Sequence, residues 1–465
     1  MQIWVNVKNF AKIEEARKVC INRYTLFVGP NNCGKTFLMQ LVEGLNNHWD
    51  KLIDDSVIRA ILYKDNEKYK VYKIAEETLP DFVKEINHVL VKEKDHIVQD
   101  TFGKNIPIES LEIEIDLEKG EEYTIYNGSG KASIEKIKSD GVEFDGLEYI
   151  GGHLEELPFS ILTSKRSGDN TESMRVAAQG MGGMDDLSTA KRLVITLLKE
   201  ESLFMPASRN GLLLLYRDFF ANKTDKLVSF QTNGGGIRNT EQQTLNLTTP
   251  VYRFLRFLQT YSLDEGETNH FKEELIFYND YIIEGQIVAD VQSGLLYKEK
   301  EEQENTPMYL TSSMVNEAAP LYLALTARNR YRRFIIDEVE ASLHPEKQRE
   351  LVRFLNRLYN KGCKFVISTH SDTFVNKLNN LAVLSNYIQK TKDENALNNF
   401  ELEKNDLINI DQLFVYEFEH MENGKCIVQQ KTFDERLGYQ FDLFTKSALG
   451  VYNEALKLEE LLENA

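Results

Sequence analysis

The stretch that most constrains this chain is Leu26-Phe27-Val28-Gly29-Pro30-Asn31-Asn32-Cys33-Gly34-Lys35-Thr36-Phe37-Leu38-Met39, an apolar strand running through a glycine-bracketed loop into a helix. Gly29 and Gly34 flank four residues and are followed by Lys35-Thr36. That is the spacing of a loop whose backbone N–H groups close around an anionic phosphate, with the positive end of the next helix behind it. Gly29, Pro30, Asn31, Asn32, Cys33, Gly34, Lys35, Thr36 and Phe37 are therefore the candidate nucleotide-binding residues. Lys35 would reach the β- and γ-phosphates of a bound nucleotide, and Thr36 would offer its hydroxyl to Mg2+. The plain alternative is a strand-to-helix turn that uses glycine for geometry alone.

A second signal lies far downstream. Phe334-Ile335-Ile336-Asp337-Glu338 is an apolar strand with two acids at its carboxyl end, the edge of an open α/β sheet where ligands bind. Asp337 would hold Mg2+ through its water shell, and Glu338 would orient or deprotonate an attacking water. Lys364 to His370 is the next strand, tipped by His370.

The rest of the chain reads as mixed α/β. Residues 2 to 7, 12 to 20 and 24 to 28 have strand patterns, and Lys35 to Asn46 is apolar at helical spacing. Asp81 to Lys92 reads as helix. Leu111 to Leu117 and Tyr123 to Tyr126 alternate around Lys119-Gly120 as a hairpin. Thr163 to Met184 and Asn222 to Thr249 are polar and glycine-rich and read as loops. Met308 to Leu310 reads as a short strand, Val315 to Ala327 and Pro345 to Tyr359 as helices. The end of the chain reads as a short helix, a hairpin from Gln412 to Thr432 and a helix from Leu443 to Glu463.

Composition narrows the class. The 465 residues exceed the ~250–300 at which a single core stops growing, so more than one lobe is expected. A net charge of −18 argues against a broadly basic surface, so contact with nucleic acid would be local or through a partner. No apolar run approaches the ~20 residues of a membrane span. The four cysteines are scattered without metal-type spacing, which reads as a reduced, cytoplasmic protein, with Cys33 a tolerated small residue rather than a redox switch.

Asp337-Glu338-Val339-Glu340-Ala341-Ser342-Leu343-His344-Pro345 and Ile367-Ser368-Thr369-His370-Ser371 resemble the Walker B, D-loop and switch-histidine run of ABC-type ATPases. The wording Glu-Ala-Ser-Leu-His-Pro, and Asn31-Asn32 in the loop, are similar to the OLD, RecF and SMC branch rather than to transporter subunits. The resemblance implies an ABC-type ATPase head, a P-loop NTPase with a mixed sheet. It also implies His370 at the γ-phosphate, and Ser342 and Leu343 on a loop crossing to a second head. Leu310-Thr311-Ser312-Ser313-Met314 stands where the trans signature should be, although Ser313 and Met314 replace its glycines; the rival reading of Ser312 is an ordinary N-cap.

Far more chain lies between Thr36 and Ser312 than a minimal head needs. Its mixed patterns imply globular α+β insertions, not a long coiled coil. The expected layout is 1–50 and 306–376 as the two halves of the head, 51–305 as further strands and insertions, and 377–465 as a hairpin and helix packed on the head or at an oligomer interface. Phe204-Met205-Pro206-Ala207-Ser208-Arg209-Asn210-Gly211 is similar to a Pro-Ala-x-Arg-x-Gly stretch of OLD-like ATPases; Arg209 is read either as sensing phosphate or crossing an interface, or as a structural arginine that binds backbone carbonyls. Arg328, Arg330, Arg332 and Arg333 either form a local nucleic-acid patch or complement a helix end. Ser371 to Ala465 is too short for the nuclease module of OLD proteins and lacks its Asp-x-Asp element.

The resemblance implies an ATPase that acts as sensor or scaffold of a bacterial anti-phage system such as Septu, PARIS or the retron-associated ones. It would work as a dimer of heads or a higher homo-oligomer, control a separate effector that is a nuclease, and touch no membrane. The rivals are a RecF- or SMC-like repair ATPase that clamps DNA itself and a scaffold with slow turnover.

Overall fold

The computed structural model describes residues 1–66, 69–128, 131–137, 159–163, 174–179, 186–216, 247–290, 294–302 and 304–463. The chain enters through β1 (Gln2–Phe10), β2 (Ile13–Cys20) and β3 (Tyr24–Val28), then α1 (Lys35–Asn47) and the short helices α2 (Trp49–Leu52) and α3 (Asp55–Ala60). Next come β4 (Leu62–Asn66), β5 (Tyr69–Ile74), α4 (Leu79–Phe102), β6 (Ser110–Asp116), β7 (Glu122–Gly128), β8 (Lys131–Ile137), β9 (Phe159–Thr163) and β10 (Met174–Gln179). The middle continues with α5 (Asp186–Leu198), β11 (Ser202–Met205), a helix α6 over 209–216, α7 (Thr249–Thr260), α8 (Glu265–His270), α9 (Lys272–Tyr281), β12 (Gly285–Asp290), β13 (Gly294–Glu299) and β14 (Thr306–Pro307). The last part holds α10 (Ser313–Thr326), β15 (Arg333–Ile336), α11 (Pro345–Asn360), β16 (Lys364–Thr369), α12 (Asp372–Thr391), β17 (Leu413–His420), β18 (Cys426–Gln430) and α13 (Asp442–Glu463).

A nine-stranded mixed sheet organises these elements, in the order β11-β15-β16-β3-β17-β18-β2-β1-β6. From β11 to β17 neighbouring strands run parallel. Beyond β17 the pairing is mixed: β17 to β18 antiparallel, β18 to β2 parallel, and β2 to β1 and β1 to β6 antiparallel. The parallel strands are apolar on both sides, as strands covered on both faces must be. Phe27, Ile335 and Val366 point into the core that holds α1 and α4. Their neighbours Leu26, Val28, Phe334, Ile336, Phe365 and Ile367 point into the second core, under α7 and α9 to α12. This is a P-loop ATPase-like α/β fold, and its assignment rests on the sheet order and on the loop leaving β3.

Two smaller sheets are built on this body, one of six strands in the order β4-β5-β7-β8-β10-β9 and one of three, β12-β13-β14. They are globular additions, and the longest described helix, α4, has 24 residues.

Some local expectations need correction. Leu111–Leu117 and Tyr123–Tyr126 alternate as read, but they do not pair with each other: β6 joins β1 at the edge of the main sheet, while β7 lies between β5 and β8. Alternation reports a half-buried strand and not its partner. Met308–Leu310 is a single 3-10 turn, and α4 runs far past Lys92, because Ile97, Val98 and Phe102 prolong its buried stripe. The helix after His370 is long, not short. Within the expected loop from Thr163 to Met184, Thr163 ends β9 and Met174–Gln179 is a strand paired with β8 and β9, while 164–173 and 180–184 lie outside the described residues, as does 222–246. Among the described residues no helix is long and apolar enough to cross a membrane.

Candidate nucleotide site

Strands β15, β16 and β3 are consecutive neighbours in the sheet, and all three end at one edge. The loop at Gly29, the acids at Asp337 and Glu338, and His370 are therefore brought together by strands whose sequence order is 3, 15 and 16. Gly29 and Gly34 take positive φ of 153° and 92°, and Asn32 takes 63°, so the loop turns where L side chains are disfavoured. The space is as restrictive as the angles. A Cβ on Gly29 would stand 2.7 Å from Cβ of Phe418, and one on Gly34 would stand 3.0 Å from Cγ1 of Ile13.

Lys35 folds back over the loop, its Nζ donating to the carbonyls of Gly29 at 2.9 Å and Pro30 at 2.8 Å. Burial pulls its ammonium down to about 8, against the opposing pull of Asp337, Glu338 and Glu340. Thr36 Oγ1 donates to Asp337 Oδ2 at 2.6 Å. Ser368 Oγ donates to the other oxygen, Oδ1, at 2.5 Å, and accepts from the Glu338 N–H at 2.8 Å. Asp337 is thus aimed from both sides, with one oxygen at the helix start and one at the tip of β16. These are hard oxygen donors of the kind that take one or two places on Mg2+ and leave the rest to water and phosphate.

Glu338 has φ 49°, an uncommon left-handed conformation for a non-glycine residue, which costs energy unless the surroundings enforce it. Two contacts do so: Ser368 holds its N–H, and Arg209 donates from Nη2 to its carbonyl at 3.2 Å. Arg209, on α6, is buried and spends its guanidinium on carbonyls, with Nη1 on Asp337 O at 2.8 Å and Nε on Glu317 O at 3.0 Å. Of the two readings of Arg209, the carbonyl-binding one describes its contacts.

His370 closes the far side. Its backbone N–H donates to Glu340 Oε1 at 2.6 Å, linking the end of β16 to the turn after β15. Burial lowers the imidazole pKa and Lys35 lowers it further, with Asp337 acting in the opposite direction, which favours the neutral ring. Ser312 caps α10, accepting from Val315 N at 3.3 Å, and with Ser313 it lies exposed beside Tyr309 and Leu310, themselves 72% and 65% exposed. Ser342, exposed and at φ 61°, and Leu343 sit on the turn that leads into α11. Phe37 packs against Phe102 and Phe10 at centroid distances of 5.4 and 6.1 Å.

Part of the chain matches a known family. Residues 251–376, which include Ser312, Asp337, Glu338 and His370, match the family described as "AAA domain, putative AbiEii toxin, Type IV TA system". No curated protein matches. Among solved structures, the SMC head domain from Thermotoga maritima is similar at 10% identity and a TM-score of 0.32, covering 93% of this chain and 100% of that one. An Smc head bound to the C-winged helix domain of ScpA gives 11% and 0.34, covering 93% and 98%. An Smc head with an extended coiled coil, bound to the C-terminal domain of ScpA derived from Pyrococcus furiosus, gives 11% and 0.32, covering 97% and 98%.

Cysteine is where the sequence reading fails. Cys33 is joined by a disulfide to Cys426 on β18, so it is not a merely tolerated small residue. The partners are 393 residues apart, and no spacing rule sees a pair made by sheet topology. The arginine cluster is also resolved. Arg333 is buried and donates to Asn46, Arg332 pairs with Glu267 at 2.7 Å, and Arg330 lies 3.5 Å from Glu267 and 3.6 Å from Asp264. These three cations serve the fold. Ser368 and Glu340, which aim the acids and the histidine, went unmarked, although both lie inside the quoted motifs.

Proposed function

We propose that the chain is an ATPase that binds ATP with Mg2+ at Gly29–Phe37 and Asp337 and hydrolyses it with Glu338 as the base. The observation that carries this reading is the meeting of Thr36 Oγ1 and Asp337 Oδ2 at the edge where β3, β15 and β16 end. Thr36 and Asp337 would hold the Mg2+, which when bound with ATP neutralises phosphate charge. Lys35 exchanges its two carbonyl partners for phosphate oxygens. Glu338, fixed by Ser368 and Arg209, orients the water and accepts its proton. His370, as a neutral ring, donates a hydrogen bond to the γ-phosphate.

The exposed serines Ser312 and Ser313, with Ser342 and Leu343, belong in this reading to the contact with a second head. The chain is then a dimer of heads that senses or scaffolds and controls a separate effector, a nuclease, in an anti-phage complex. The family description over 251–376 names an AAA domain, which supports the ATPase part of this reading. The RecF-like alternative is disfavoured by three of the four clustered arginines, since Arg330, Arg332 and Arg333 are engaged within the fold.

The test is Glu338→Gln. It should bind ATP as the parent chain does and lose steady-state turnover by about 100-fold or more, the scale of removing a positioned general base. Undiminished phosphate release from that variant would overturn the assignment.

A further inference from the structure

The phosphate loop is attached to the sheet through its floor, and that floor is made of β2, β17 and β18. Gly29 lies against Phe418 of β17, and Gly34 against Ile13 of β2. Between these contacts Cys33 is bonded to Cys426 of β18, with a Cα–Cα distance of 5.5 Å, inside the usual range for a disulfide. Both cysteines are buried, at 1% and 0% exposure. His420, directly opposite Cys426 across the β17–β18 hairpin, is exposed and covers the bridge. Its Nδ1 is 3.3 Å from Sγ of Cys426, and both ring nitrogens are 3.5 Å from Sγ of Cys33.

We propose that Cys33, Cys426 and His420 form a reversible thiol–disulfide site, exchanged by small thiols, that sets how tightly the phosphate loop holds nucleotide. This rests on the reading of Gly29–Thr36 as the nucleotide site. In the bonded state the loop is already in its phosphate-binding shape, so little ordering remains when ATP arrives. Cleavage frees the middle of the loop from β18, and binding must then restore its order.

The exchange balances with a thiol as reductant. A thiolate attacks one sulfur of the bridge, the S–S bond breaks, and its electron pair goes to the departing cysteine, which takes a proton from His420. A second thiol molecule attacks the mixed disulfide and releases the other cysteine. The products are two cysteine thiols and one small disulfide. The other cysteines, Cys20 and Cys363, are free thiols with no bridge to exchange.

The experiment uses the full chain, oxidised in air or reduced with dithiothreitol, with thiols counted after denaturation and ATP–Mg2+ affinity measured by titration calorimetry. The oxidised chain should carry two free thiols and the reduced chain four, with a Cys33–Cys426 peptide found only without reductant. ATP should bind about three- to tenfold more weakly to the reduced chain, the scale of re-ordering one or two side chains. Cys426→Ser and Cys33→Ser should show the weaker affinity whatever the reductant, and the wild-type comparison stands without them if they do not fold. His420→Asn should slow reduction severalfold and leave both end states unchanged.

Equal ATP affinity in the two forms, with the bridge verified, overturns the proposal. So does an as-purified chain with four thiols and one equivalent of zinc, which would make the triad a metal site. If neither form binds ATP, the reading of the loop itself has failed, a result separable from the other two.

Discussion

Arg209 shows how much of the site depends on a residue that touches no nucleotide in the proposed scheme. It sits beneath the acids and donates to the backbone carbonyls of Asp337 and Glu338, with Glu317 Oε1 3.4 Å away as its counter-charge. Arg209→Ala would leave Glu317 buried without its cation, and about 3 kcal/mol of stability should be lost, read from the urea midpoint. ATP turnover should fall with it, since Glu338 would lose one of the two contacts that hold its φ of 49°. Arg209→Lys should not rescue, because a single ammonium lacks the planar fork that spans several carbonyls. Asp337, Glu338 and His370 were legible because each is a polar residue at the end of an apolar strand. Arg209 was not, since a cation beside a turn has the same sequence signature whether it binds phosphate or backbone.

Among the elements, α1 carries the site and α4 braces it. They meet at Gly44, where an added Cβ would stand 2.1 Å from Oγ1 of Thr101. Gly44→Ala should therefore cost about 1–3 kcal/mol, the overpacking scale, and Thr101→Ala in the same chain should recover much of it. Thermal melts of the two single variants and the double variant give the coupling. The helical period made α1 and α11 readable almost to the residue, since apolar side chains recur at helical spacing through both. Strand partners were unreadable: β6 and β7 are neighbours in sequence but belong to different sheets. Local alternation holds no information about which distant edge completes the ladder.

At the scale of the whole molecule, the second core is tied by Asp406, which accepts from Arg357 Nε at 2.6 Å and Arg353 Nη2 at 2.9 Å. Burial alone would raise its carboxyl, but the hydrogen bonds from Arg357, the Glu403 N–H and Arg353 outweigh it and hold the pKa below the ordinary aspartate range. The folded pKa is depressed, so this stabilisation is complete above the unfolded value of ~3.9 and is lost as pH falls through the folded one. Asp406→Asn should lower stability by about 3 kcal/mol at pH 7, and the gap to the parent chain should narrow below pH 4 in denaturant titrations. A second prediction concerns assembly. Leu310→Asp changes an exposed side chain, so the melting temperature should barely move. In a Glu338→Gln background, which should hold ATP without turnover and so keep the proposed dimer of heads together, Leu310→Asp should abolish the ATP-dependent dimer seen by light scattering.

The hairpin of β17 and β18 lies between β3 and β2, two strands that are close neighbours in the chain. Consider the order in which a ribosome releases them. Residues 1–47 emerge with the phosphate loop and its helix, but the strand that Gly29 leans on and the sulfur that Cys33 bonds to arrive only with residues 413–430. Until then β2 and β3 each expose an unpaired edge, the kind of surface that chaperones cover and that misfolded chains share. A nascent chain can therefore carry every residue of its phosphate-binding motif and still have no floor beneath it, and nucleotide capture becomes one of the last events of synthesis.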